Sequence, residues 1–185
     1  YVHQNTTPIR IASGGNWISL HPGLQHTVYA DMVLSNQFDA LIGVSDEGDV
    51  APLGAKSWTV SADFKTFEFE IDNSKKFSDG SELTSYDYKR SWQEALLLSP
   101  KSNNNSLLDV LYKVVGFEDF EKSKNIVGLE TTSKSKLIIH FKTPFRMAID
   151  HLQGNRFSAF KQINSDTFIG TGCYMIKEVS STQLE

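Results

Sequence analysis

With a single cysteine, Cys173, the chain is excluded from the small disulfide-stapled scaffolds. Cysteine scarcity alone does not separate a reducing compartment from an exported protein that forgoes disulfides. Long apolar runs are missing too, and nothing approaches the roughly 20 residues of a membrane-spanning helix. Positive charge is sparse: 18 Lys and Arg face 22 Asp and Glu, for a net charge of −4. Lys122, Lys124, Lys134 and Lys136 are interleaved with Ser, Asn and Thr, which is the pattern of a solvated surface. No nucleic-acid partner is expected, because phosphate binding needs clustered Lys and Arg. The motifs of common chemistry are absent as well: no Gly-x-Ser-x-Gly elbow, no phosphate loop ending in Gly-Lys-Ser/Thr, no His-Glu-x-x-His. His3, His21, His26, His140 and His151 form no i, i+4 pair and have no nearby Cys, so neither a metal nor a cofactor is expected. Cys173 could take His140 or His151 as a base, but a lone Cys beside glycines reads as structural. No catalytic residue is assigned, and the chain reads as a binding module, not an enzyme. It opens Tyr1-Val2-His3 without Met, so a missing signal peptide carries no weight.

What is present is an ordinary globular composition, 39% hydrophobic and 11% aromatic, with Phe (12) as the main aromatic. Ile9–Ala12 reads as a short strand running into a glycine loop, Ser13-Gly14-Gly15-Asn16. From Gln25 to Ile42 there is no Gly or Pro, and Tyr29, Met32, Val33, Phe38, Leu41 and Ile42 recur at helical spacing. Gly43–Pro52 is a polar turn region. Thr66–Ile71 is the cleanest strand, with Phe67, Phe69 and Ile71 alternating with charged residues. Ser78-Asp79-Gly80 is a turn, and Thr84 to Asp87 is a capping box opening a helix. Tyr88, Trp92, Ala95 and Leu96 mark that helix's buried face. A helix is expected over Leu107–Val115, strands at Ile126–Glu130 and Lys136–Lys142, a short helix over Phe145–Leu152 and a last strand over Tyr174–Val179. Helices and strands mix without strict alternation, which predicts an α+β fold.

Five segments, in this order, resemble the solute-binding proteins of oligopeptide, dipeptide and nickel ABC importers (extracellular solute-binding proteins of the family 5 type). Ile18-Ser19-Leu20-His21-Pro22 resembles Thr-Leu-Asp-Pro, and Ala51–Trp58 resembles Pro-x-Leu-Ala-x-x-Trp. Asp63–Phe69 is similar to Asp-Gly-x-Thr-Tyr-x-Phe. Lys76–Trp92 follows Lys-Phe-Ser-Asp-Gly-x-Pro-Leu-Thr-Ala-x-Asp-Phe-x-x-Ser-Trp almost residue by residue. Gly170-Thr171-Gly172-Cys173-Tyr174 stands where the family has Gly-Thr-Gly-Pro-Tyr. His21 replaces Asp, Glu82 and Cys173 replace Pro, and the stretch from Phe160 to Gly170 is short for the family. Trp58, Phe77 and Trp92 read as core within these motifs.

The resemblance implies an α+β, periplasmic-binding-protein-like fold of the class with an extra subdomain, incomplete here: first-lobe pieces plus the small mixed subdomain. Residues 1–44 would be the first segment of lobe I, 45–168 the subdomain and 169–185 the return into lobe I. A second lobe would follow Glu185. The implied function is capture of an oligopeptide or similar small solute in an interlobe cleft, delivered to an ABC permease from the periplasm or cell surface. The alternative is a ligand-sensing or protein-interaction module of a regulator on the same fold. Candidate cleft residues are Gly14, Gly15, Asn16, Trp17 and Ile18, where glycines admit a ligand to the backbone, Asn16 can hydrogen-bond it and Trp17 can cover it. A plain loop with Trp17 packed inside is the competing reading. Gly170, Thr171, Gly172 and Tyr174 are candidate hinge or cleft-floor positions. A sheet edge left open by the missing lobe would favour self-association of the chain.

Overall fold

The computed structural model describes residues 20–24, 27–98, 106–164 and 167–176. Thr27 opens helix α1 (Val28–Gln37), its hydroxyl oxygen accepting the Ala30 N–H at 3.2 Å. The helix stops short of the expected end at Ile42. Phe38 is already extended (φ −125°, ψ 117°), and Ile42 begins strand β1 (Ile42–Val44), paired antiparallel with β2 (Val50–Pro52). The polar turn between them is held by Ser45, whose hydroxyl accepts the N–H groups of Glu47 and Asp49. Gly48 supplies the positive φ of 88° that the turn requires.

The centre is a four-stranded antiparallel sheet of β3 (Ala55–Val60), β4 (Thr66–Ile71), β5 (Leu129–Ser133) and β6 (Lys136–His140), in the order β3-β4-β6-β5. Phe69 faces Trp58 and Leu137, and Phe67 faces Val60 and Ile139 across the ladders, so one face is continuously apolar. Glu68 and Glu70 turn outward, meeting Lys136 at 2.8 Å and Lys56 at 3.5 Å. The strand expected at 126–130 begins three residues later, because Gly128 and Ile126 are spent in a turn that hands the chain to β5.

Helix α2 (Ser85–Leu98) covers the apolar face with Tyr88, Trp92, Ala95 and Leu96, all buried as the spacing requires. At its start, the Thr84 N–H and hydroxyl both donate to the Asp87 carboxylate, at 3.0 and 2.6 Å. Helix α3 (Ser106–Leu111) ends earlier than the 107–115 window. Val114 instead bridges Phe141, and the Val115 N–H donates to the His140 carbonyl, so the sheet captures the chain before another helical turn forms. Helices α4 (Phe120–Ser123) and α5 (Ala148–His151) follow, the latter shorter than the expected 145–152, with the Phe145 N–H donating to the Phe64 carbonyl. A short hairpin, β7 (Lys161–Gln162) with β8 (Phe168–Ile169), completes the described elements.

One core joins sheet, α2 and α3, and it includes Leu41, Ile42 and Ile169. Phe67, Phe69, Phe77 and Trp92 lie within it, each worth about 1.5–3 kcal/mol of burial. Trp58, expected as core, is only partly buried because β3 is an edge strand. A second, smaller cluster gathers Ala30, Leu34, Phe38, Phe160 and Phe168, with Leu20 packed against it.

Candidate ligand-cleft site

The glycine loop proposed for ligand contact, Gly14, Gly15, Asn16, Trp17 and Ile18, lies outside the described residues. The second candidate group, Gly170, Thr171, Gly172 and Tyr174, is described, and it lies along the end of α1. The Gly172 N–H donates to the Gln37 carbonyl and the Tyr174 N–H to the Asn36 carbonyl, both at 3.0 Å. These are carbonyls of the last helical turn, which has no intrahelical donors to satisfy them. On the other side, the Gly170 carbonyl accepts the Ser78 N–H at 3.0 Å and its hydroxyl at 3.2 Å. The segment is thus pinned between α1 and the Ser78-Asp79-Gly80 turn of the most family-like block.

Both glycines are required by close approach. A Cβ on Gly170 would collide with the Gln37 carbonyl oxygen and the Phe38 ring, and one on Gly172 with the Asn36 carbonyl. Tyr174 itself is half-exposed, and Cys173 is exposed beside it.

Two polar side chains at this crossing were not visible as candidates in the sequence. Gln37 is 3% exposed, and its amide Nε2 donates to the Phe168 carbonyl at 2.5 Å. Its Oε1 and the Thr171 hydroxyl are buried without a hydrogen-bond partner. The signal for Gln37 was its place on the stripe of Ala30 and Leu34, where an apolar residue belongs. Ser91 of α2 is the second: its hydroxyl donates to the Phe160 carbonyl at 3.1 Å and accepts the Phe160 N–H at 2.9 Å.

His21 sits on the same junction. It is 5% exposed, with edge-on contacts to the Phe160 and Phe168 rings, each 4.7 Å between centroids. Its Nδ1 accepts the Gly23 N–H at 3.1 Å. Burial away from water pushes its pKa down from 6.5 to about 4, so the ring is neutral at physiological pH.

The imidazoles considered as bases are engaged elsewhere. His140 Nδ1 is 3.2 Å from the Thr66 hydroxyl and its Nε2 is 3.4 Å from Glu130, on the open sheet face. The His151 ring lies against Phe145. Among the described residues, no group of three or more His, Cys, Asp or Glu side chains could hold a metal ion, and no helix is long and apolar enough to cross a membrane.

A half-covered antiparallel sheet, an α1 that leads into it and a return segment laid on the end of α1 make this part of a periplasmic-binding-protein fold. The structure superposes with Haemophilus influenzae OppA in complex with the peptide RPPGFSPFR at a TM-score of 0.75 and 20% identity, covering 88% of this chain and 34% of that one. The Escherichia coli murein tripeptide binding protein MppA gives a TM-score of 0.73 at 18% identity, with the same 88% and 34% coverage. At such identities the likeness establishes the fold. In sequence, the oligopeptide-binding protein OppA of Bacillus subtilis is 30% identical over 100 residues, which is 54% of this chain and 18% of that protein. Residues 49–184 match the model of the bacterial extracellular solute-binding proteins, family 5 Middle, and the chain belongs to that family. It spans about a third of the length of the solved relatives and less of the curated one.

Proposed function

We propose that this chain forms one wall of the ligand cleft in the substrate-binding component of an ABC importer for oligopeptides or similar small solutes. On this reading it works outside the cytoplasm, in the periplasm or at the cell surface, and hands its ligand to a membrane permease. Residues 1–44 and 169–185 belong to the ligand-binding lobe, and 45–168 form the satellite subdomain. The observation that carries the reading is the crossing itself: residues 170–174 return to the end of α1, far from them in sequence, through two backbone hydrogen bonds. That contact brings the two terminal segments together as a single lobe would need. Gly14, Gly15, Asn16, Trp17 and Ile18 are assigned to ligand contact, and Gly170, Thr171, Gly172 and Tyr174 to the hinge or cleft floor.

Two-lobed binders gain affinity by burying most of the ligand between walls, and closure is stabilised by ligand that prefers the closed state. One wall alone must still offset several kcal/mol of lost translational and rotational freedom. The 185-residue chain alone should therefore show no micromolar binding in calorimetric titration against a di- to pentapeptide library. A longer protein carrying the second lobe should bind members of that library and retain small solutes detectable by mass spectrometry. Micromolar binding by the isolated chain, or none by the two-lobed protein, overturns the reading.

A further inference from the structure

We infer that His21 is an acid-sensitive latch: protonating its ring detaches the first described segment, with α1, from the β7–β8 hairpin while leaving the main core intact. Two features of the geometry carry this. First, Nδ1 accepts a backbone N–H from Gly23. A proton on that nitrogen converts the acceptor to a donor and abolishes the bond. Second, the ring lies edge-on to Phe160 and Phe168 in the small cluster that joins α1 to the hairpin, where a cation loses its hydration. The main core includes neither ring, so the damage is local.

Among the described residues, the charged groups on the neighbouring elements are held by other partners. The Arg90 guanidinium of α2 donates to the Phe160 carbonyl and pairs with Glu94 at 2.9 Å and Asp87 at 3.5 Å, and Lys161 of β7 reaches Asp79 at 3.8 Å. Asp31 of α1 takes the Asn155 amide, at its backbone carbonyl and at its carboxylate.

The linkage runs in one direction. A histidine whose folded pKa is lowered contributes its full share of stability above the unfolded value, and loses it as pH falls toward the folded value. Here that window runs from 6.5 down to about 4. At pH 5 the opening of this junction should be about 30-fold more favourable than at pH 7.5, as follows from the two pKa values. The latch also deepens the proposed function and rests on it in one respect: if α1 belongs to the ligand-binding lobe, mild acid would uncouple that lobe from the subdomain.

The test is amide exchange on the whole chain, read as protection factors at pH 7.5 and 5, together with the His21 ring titration by NMR. The wild-type chain should lose about 30-fold protection at the Phe38, Ser158 and Phe160 amides, while amides of β4, β6 and α2 hold. His21→Asn, whose side-chain oxygen can take over as acceptor but does not titrate, should show no pH-dependent loss at those amides. An NMR midpoint for His21 near 6.5, equal loss in His21→Asn, or simultaneous loss across the main core each refutes the latch. No peptide enters the experiment, so it stands or falls separately from the transport reading.

Discussion

Trp92→Ala probes whether α2 is the lid of the main core. Trp92 is fully buried, with its ring centroid 6.0 Å from Tyr88 and 5.5 Å from Phe157, both at edge-on angles. Its Nε1 has no hydrogen-bond partner, so truncation strands no polar group, and removing that buried, unpaired donor offsets part of the packing and transfer loss. Removing a buried Trp side chain costs about 3–5 kcal/mol, depending on how far the site collapses. Collapse is resisted here on two sides. Tyr88 is pinned on the same helix with its hydroxyl against Gly54, and Phe157 is fixed by the 3-10 turn after Gly154. Resistance to collapse and relief of the unpaired donor work in opposite directions, and the cost should fall near the middle of that range. With a urea m-value of roughly 2 kcal/mol/M, the midpoint would drop by about 2 M, a large part of the 5–15 kcal/mol total of an ordinary domain. The assay is urea unfolding followed by far-ultraviolet circular dichroism. Tyr86→Ala, on the exposed side of the same helix, is the control and should move stability by less than about 0.5 kcal/mol. An unchanged midpoint for Trp92→Ala, or an equal shift for Tyr86→Ala, would refute the packing argument.

Two further outcomes follow from the same geometry. Asp87→Ala removes the acceptor of both the Thr84 N–H and its hydroxyl, and should lower stability by about 1 kcal/mol in urea unfolding, with Asp87→Asn recovering part of it. Gly170→Ala forces a methyl group into the Gln37 carbonyl and the Phe38 ring, and should cost about 1–3 kcal/mol while leaving main-core amides protected against exchange.

The elements legible in the sequence were those whose two faces differ in environment. Thr66–Ile71 alternates Phe and Ile with Glu because one face meets α2 and the other meets water, and the strand falls on those residues. Helix α2 shows its stripe for the same reason. Helix α1 was harder, because polar and apolar residues are interspersed around it: Val28, Tyr29 and Met32 are exposed beside Ser35 and Asn36, while Ala30 and Leu34 are buried together with Gln37. With no clean polar face to set the phase, spacing extended the helix through Phe38, Leu41 and Ile42. Tertiary contacts end it instead, when the Gly54 and Ala55 N–H groups take the carbonyls of Ala40 and Leu41. The same competition shortened the helix after Leu107, where the sheet offered Val114 and Val115 partners that a further helical turn could not match.

The crossing shows a different limit. Gly170 and Gly172 stand out in the sequence as a motif, but what makes them glycines is the backbone of Asn36 and Gln37, more than 130 residues earlier. A requirement imposed by a distant chain leaves no periodicity for local reading to find. What it does leave is a misplaced residue on the partner: Gln37 occupies a position on the α1 stripe that apolar packing would assign to Leu or Ala, and it is there to take the Phe168 carbonyl. His21 is the same kind of signal, a polar ring where two Phe side chains close. Glycine pairs on one segment and buried polar residues on another are two halves of one contact.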